Sequence, residues 1–283
     1  MREKINKFVR SQTVLAVFIL SILFTSVVTV LGILILDWTP SVRLAIFTLG
    51  QLMLSGTAVW LMRKLEVFDT NDFKFKGIGK GFCLAWFGFL YIAIYFLICF
   101  MSIPENSFIA PSIFYLLIVV LHPIIGTGLF EEVLYRGLVL KILLKKTGGS
   151  KRGIILACVI SSAIFGFLHI ENILAGAPVL PIVTQMITAF ATGLFFAAVF
   201  IRTGNLWIPI FFHGLLNVST QIFNAISPDA MTQNIESQGG TDIVGFIINT
   251  LFQTLPILIA ALILLRKVKP DEISDKKIIV SSQ

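Results

Sequence analysis

Charge is scarce in this sequence: Asp, Glu, Lys and Arg make up 13% of its 283 residues, against 57% hydrophobic residues and a mean hydropathy of +0.94. Too little polar surface remains to cover a water-soluble domain, so the chain requires lipid as a solvent. Cysteine is equally sparse. Cys83, Cys99 and Cys158 lie in separate apolar runs without C-x-x-C spacing, which indicates packing roles and neither a thiolate metal cluster nor a disulfide framework. There is no internal repeat, no low-complexity tract and no polar stretch long enough for a second domain, so one membrane domain over 1–283 is expected. Nor does a small-x-small cleavage pattern follow the first apolar run. That run has about 23 residues, where a signal-peptide core has roughly 7–15, and it is read as an uncleaved transmembrane helix.

What is present is a series of apolar runs near 14–36, 42–62, 81–103, 112–140, 154–170, 180–201, 206–226 and 243–265. Each suits a helix of the ~20 residues that span a bilayer. The expected fold is all-α: a polytopic transmembrane helical bundle of about eight spans with both termini cytoplasmic. On that topology 20 of the 22 Lys and Arg face the cytoplasm, starting with Arg2, Lys4, Lys7 and Arg10; the exceptions are Arg43 and Arg136. The outer loops carry Asp37, Glu105, Glu171, Asp229, Glu236 and Asp242. The net charge of +7 is therefore a positive-inside signal, with the lipid bilayer as partner and no nucleic acid.

Residues 1–110 read as scaffold helices, 111–226 as catalytic helices, 243–266 as the last span and 267–283 as a cytosolic tail. The 66–80 segment sets Phe68, Phe73 and Phe75 among Asp69, Asp72, Lys74 and Lys76, which fits an amphipathic element at the interface and an ordinary polar connector equally well. Trp38, Trp60 and Trp207 stand near expected span ends as interfacial anchors. The 26 phenylalanines read mostly as lipid-facing or packing residues.

Ionisable groups inside apolar helices are costly and mark function by default. Spans four, five and seven hold them. In Glu131-Glu132-Val133-Leu134-Tyr135-Arg136, Glu132 and Arg136 are four apart with the acid first, the better order for a helical ion pair. Arg136 can then fix Glu132 and leave Glu131, about 100° round the helix, to point elsewhere. In Phe165-Gly166-Phe167-Leu168-His169, Phe165 stands one turn from the histidine and can pack on its ring; in His213-Gly214-Leu215-Leu216-Asn217 the imidazole and the amide share a face. Together these supply a carboxylate, two imidazoles and an amide from three helices of a bundle, the inventory of a hydrolase. No G-x-S-x-G elbow and no H-E-x-x-H is present, so serine-hydrolase and zincin readings lack their motifs. His122, before Pro123, fits none of these elements and reads as a histidine hydrogen-bonded within the bundle.

The ordered E-E-x-x-x-R, F-x-x-x-H and H-x-x-x-N elements, each on its own apolar helix, resemble the signature of the CAAX prenyl endopeptidase and bacteriocin-processing (Abi) family of intramembrane proteases, over roughly residues 111–226. The resemblance implies Glu131 as the base that activates water, His169 as its partner, His213 and Asn217 as oxyanion stabilisers, and Glu132, Arg136 and Phe165 as support. The resemblance leaves both metal-free glutamate and zinc chemistry open; the pairing of His213 with Asn217 reads more naturally as a donor couple and favours the reading without a cofactor, and were zinc used, Glu131, His169 and His213 would be its ligands. The substrate would be a membrane protein or peptide precursor, and the basic, Phe- and Ile-rich composition points to a bacterial plasma membrane. The alternative is a non-enzymatic bacteriocin-immunity or regulatory protein of the same fold.

The depths of these groups do not coincide on straight helices. With Lys141 as the cytoplasmic edge, Glu131 lies ~15 Å in, His169 ~18–24 Å from the start of span five and His213 ~10 Å from the start of span seven. Pro123, Gly126 and Gly128 are expected to bend span four. The topology is open to a direct check: a cysteine at position 236 should react with impermeant reagents from the outer side, and labelling solely from the cytoplasmic side would remove the eight-span arrangement.

Overall fold

In lipid no water satisfies the backbone, so each segment must close its hydrogen bonds within itself; long Leu-, Ile- and Phe-rich runs therefore become helices. The computed structural model describes residues 12–101, 103–104, 107–148, 150–174, 176–228 and 243–270, and these contain helices and no strand. Arg2, Lys4, Lys7 and Arg10, the loop acids Glu105, Asp229, Glu236 and Asp242, and the tail from 271 lie outside the described residues.

Helices α1 (Thr13–Leu34) and α2 (Pro40–Lys64) come first, α2 starting on a proline whose missing N–H costs nothing in a first turn. Helices α3 (Ile78–Leu84) and α4 (Trp86–Met101) meet at 65°. Helix α5 (Ile113–Thr147) opens with Ser112 Oγ accepting from the Tyr115 N–H, and α6 (Lys151–Leu168) with Ser150 Oγ accepting from Gly153. A short α7 (Glu171–Leu174) follows. Helix α8 (Val179–Thr203) ends at Gly204, whose φ of 63° reverses the chain into α9 (Trp207–Ile226). Helix α10 (Ile243–Arg266) packs along α8, where Thr184 and Thr250 share a hydrogen bond of 2.8 Å.

Among the described residues six helical stretches are long and apolar enough to cross a membrane, or seven when α3 and α4 count as one bent span. The expected seventh span, α9, is not among them. It carries His213, Asn217, Ser219, Thr220, Gln221 and Asn224, and it packs against α4, α5 and α8. Of the polar residues that lower its hydropathy, His213 and Ser219 are buried by neighbouring helices.

Lys141 does not mark the cytoplasmic edge. Helix α5 continues to Thr147, and the Lys141 ammonium is 1% exposed and ion-paired with Asp72. Asp72 sits in a single 3₁₀ turn, Thr70–Phe73, within the 66–80 segment. The backbone of that segment is docked as a strap beneath the α8–α9 turn. The Asp72 carbonyl accepts from the Leu206 N–H (2.7 Å), the Phe73 carbonyl from Trp207 Nε1 (2.8 Å), and the Lys74 carbonyl from Asn205 Nδ2 (2.5 Å). Phe73 meets the Trp207 ring edge-on at 6.1 Å and Phe75 stacks on it at 5.2 Å. Trp207 is thus partly buried by packing on the strap, whereas Trp38 and Trp60 remain exposed. Of the cysteines, Cys158 is buried in packing whereas Cys83 is exposed.

Burial pushes the Asp72 carboxyl up to about 6 from 3.8, against the opposing pull of Lys141. A carboxyl raised in this way makes the fold favour its protonated form, so its ionisation costs stability as pH rises through about 6, and Lys141 offsets that cost. Removing one partner of a buried pair typically costs about 3–5 kcal/mol. Lys141→Ala should lose stability on that scale at neutral pH and regain part of it below about pH 6, where a neutral Asp72 needs no counter-ion. Thermal unfolding in detergent across pH measures this, and a variant as stable as wild type at neutral pH would contradict it.

Candidate active site

The backbone that carries the two glutamates is not a regular α-helix. Residues 122–128 and 133–139 form wide π-type turns on either side of Leu129–Glu132. Such turns hold an extra residue and re-aim the side chains that follow. Pro123, with no N–H to donate, falls in the first, and Ser161 Oγ donates to the Tyr135 carbonyl in the second (3.0 Å). Gly128 serves close approach as well as bending. A Cβ there would lie 2.9 Å from the Pro123 carbonyl oxygen and 3.0 Å from that of Ile210, and a Cβ on Gly214 would lie 2.8 Å from Ile124 Cα. The α5 and α9 backbones therefore touch, as small residues permit in membrane bundles, and the glutamates come within reach of His213.

The contact is a tight knot of charge. Arg136 NH1 donates to Glu132 Oε1 at 2.8 Å, the ion pair expected from the i, i+4 spacing. His213 Nδ1 lies 2.7 Å from the same oxygen; since a carboxylate only accepts, Nδ1 carries the proton. Arg136 NH2 donates to the Gly193 carbonyl (3.0 Å), which adds α8 to the knot. Glu132 and Arg136 are 0% and 1% exposed. The rings of Phe165 and Phe196 cover the guanidinium with centroids at 4.8 and 5.4 Å. Phe196 also stacks on His213 at 5.3 Å. Glu131 is left outside the knot with a side chain 21% exposed, its Oε2 3.4 Å from His213 Nε2. His213 thus adjoins both glutamates, not the far wall.

Glu131, His169, His213 and Asn217 line one cavity of about 350 Å³. His169 Nδ1 donates to the Phe165 carbonyl at 2.9 Å, so in the neutral ring Nε2 is the acceptor; Phe165 meets the His169 ring edge-on at 5.1 Å. Among the described residues, Glu131 and His169 share no direct hydrogen bond. A second lobe of about 430 Å³ shares His169, His213 and Asn217 with the first and runs past Tyr91, Tyr95 and Thr188, placing these three groups at a waist.

The apparent mismatch in depth resolves once the true reference level is known. Tyr135 and Ser161 stand side by side. Glu131 lies four residues beyond Tyr135 and Phe165 four beyond Ser161, each ~6 Å further along antiparallel helices. The His169 ring folds back onto the Phe165 carbonyl and so returns to the level of Glu131. Helix α9 is entered from the buried residues Asn205 and Leu206, which bond to the strap, and this explains why His213 needs so few residues to reach the same height.

His122 is hydrogen-bonded within the bundle as expected, to Thr48 Oγ1 (2.9 Å) and Thr127 Oγ1 (3.4 Å). Sequence reasoning missed other parts of the wall. Thr25 and Thr29 of α1, assigned to scaffold, line the cavity and hold the carboxylate of Glu171, assigned to an outer loop. The i, i+4 threonine pair and an acid two residues from His169 were the available signals. Gly193 and Phe196 lay in a span that showed no ionisable group. The conditional zinc ligands Glu131, His169 and His213 do not form a metal-holding group: among the described residues no three His, Cys, Asp or Glu side chains do.

No curated protein and no solved structure matches this chain. Residues 109–219, from the approach to α5 into α9, match the family described as type II CAAX prenyl endopeptidase, Rce1-like. The motifs and the family match coincide on helices that line the cavity, and the chain is an integral membrane protein whose residues 109–219 are similar to the Rce1-like CAAX prenyl endopeptidases.

Proposed function

We propose that the chain is an intramembrane endopeptidase that hydrolyses a peptide bond of a membrane-associated protein or peptide precursor, with Glu131 as the base. The observation that carries this reading is the unequal treatment of two adjacent glutamates: Glu132 is locked to Arg136 and His213, while Glu131 opens onto a cavity shared with His169, His213 and Asn217. A water accepted by Glu131 and by His169 Nε2 has both protons directed at acceptors and its lone pair free for a carbonyl carbon. As the C–O bond forms, Glu131 takes one proton. The Asn217 amide donates to the developing oxyanion, joined by His213 Nε2–H when that ring is charged; such donors contribute roughly 2.7–4 kcal/mol each in other proteases. The intermediate collapses with cleavage of the C–N bond, and the proton held by Glu131 passes to the departing amine.

Eight spans with cytoplasmic termini, supported by the distribution of basic residues, and a bacterial plasma membrane, supported by the basic, Phe- and Ile-rich composition and short loops, complete the proposal. Glu131→Gln keeps the shape and deletes the base, so activity should fall by at least ~100-fold while the protein accumulates at wild-type levels. Arg136→Ala should lower accumulation as well, because it leaves Glu132 as an unpaired buried acid at a cost of about 3–5 kcal/mol. Comparative peptidomics of membranes holding each variant, with quantitative immunoblotting, measures both. Identical peptide profiles for wild type and Glu131→Gln would remove the protease reading.

A further inference from the structure

The cavity has a charge asymmetry that hydrolysis alone does not require. Its lining includes two carboxylates, Glu131 and Glu171, and neither a lysine nor an arginine. Glu171 is the one that the reaction above leaves unused. It is held in place: Thr25 Oγ1 donates to Oε1 at 2.6 Å and Thr29 Oγ1 to Oε2 at 2.7 Å. Two hydroxyl donors occupy about half of a carboxylate's accepting capacity. They orient its negative charge without neutralising it, and among the described residues no cation of the protein pairs with Glu171.

The position of Glu171 is as telling as its chemistry. An outer groove of about 540 Å³ is lined by Gly32, Leu36, Phe47 and other largely apolar residues of α1, α2 and α5. Glu171, Asn172, Thr29 and Gln221 line both that groove and the central cavity. A chain lying in the groove and entering the cavity passes the oriented carboxylate before it reaches Glu131. The groove's own cation, Arg43, is engaged with the Leu36 carbonyl (3.1 Å).

We infer that Glu171 is a specificity-determining residue, which selects peptide substrates carrying a lysine or arginine a few residues from the scissile bond by pairing with that cation at the cavity mouth. The inference rests on the protease reading above. In a partly dehydrated setting a hydrogen bond to a charged group is worth roughly 1.5–3 kcal/mol, which corresponds to about a ten- to hundredfold preference.

The test uses purified full-length protein in proteoliposomes and a library of lipid-anchored peptides in which one position at a time is Lys, Gln or Glu, with products identified by mass spectrometry. Wild type should cleave Lys peptides at one position with kcat/KM at least about tenfold above the Gln counterparts, with Glu peptides lowest. Glu171→Gln should bring the Lys-to-Gln ratio close to one while Gln peptides are cleaved at near wild-type rates. An unchanged ratio, or a uniform loss over all peptides, would overturn the inference and leave Glu171 as a tie between α7 and α1. If Glu171→Gln does not accumulate, acetylating the lysine of the best peptide gives the same reading with wild type: a drop of about tenfold is expected, and no drop overturns it. The two readings fail differently. Cleavage without charge preference removes the specificity role alone, whereas no cleavage of any peptide by wild type, with Glu131→Gln indistinguishable from it, removes the peptidase and the specificity role together.

Discussion

One carboxylate oxygen, Glu132 Oε1, holds the site together. It accepts from Arg136 on its own helix and lies within hydrogen-bond distance of His213 on α9, while Arg136 reaches on to the α8 backbone. Charges this deep are costly unless paired and hydrogen-bonded. The three helices are consequently fixed to one another by the requirement to keep those charges satisfied, in surroundings where apolar contact with lipid is nearly as good as apolar contact with protein. The rest of the arrangement follows. Gly128 and Gly214 let the backbones close to the distance that the pair demands, and Gly193 leaves room for the guanidinium. Phe165 and Phe196 exclude water from it. Glu131 can face a cavity because its neighbour has absorbed the structural duty.

The parts of this design that obey a local rule were legible in the sequence. The all-helical class follows from apolar run length, the Glu132–Arg136 pair from i, i+4 spacing, and the division of labour between the glutamates from the angle between adjacent residues on a helix. The joint lining of one cavity by Glu131, His169, His213 and Asn217 was legible from motif order and from the cost of isolated polar groups in lipid. What stayed hidden was tertiary. Lys141 looked like an interface marker because lysine is seldom buried, and only Asp72, 69 residues away in sequence, makes its burial tolerable. Trp207 stands at a helix end, where an anchor is expected, and nothing local shows that its indole N–H finds an acceptor in the Phe73 carbonyl. His213 was assigned to the far wall because no sequence rule shows that two backbones touch at Gly128 and Gly214.

Helix α1 illustrates the same limit. Judged by composition it is generic, with most of its surface apolar and exposed. Its Thr25 and Thr29 hydroxyls lie 3.1 and 3.2 Å from carbonyls of their own helix, the usual acceptors for threonine in apolar helices, but each has one proton and the Glu171 carboxylate, at 2.6 and 2.7 Å, is the nearer acceptor. A hydroxyl turned from its own helix to a distant acid leaves no compositional trace, so the contribution of α1 to the cavity wall appears only when the helices are assembled.

The strap formed by residues 72–74 gives the family boundary a physical meaning. The matched segment begins at residue 109, yet the α8–α9 turn within it is completed by carbonyls from before that point, and so is the counter-ion of Lys141. A fragment cut at the boundary would keep every motif residue and lose what sits beneath them: an ammonium stripped of its partner in the core, an indole N–H and an asparagine amide without acceptors, and α9 without the floor that sets its height. Recognition by sequence and independence as a folding unit are here different properties, and the first third of the chain, outside the matched segment, is the part through which His213 could be raised or lowered against Glu131 without touching a motif residue.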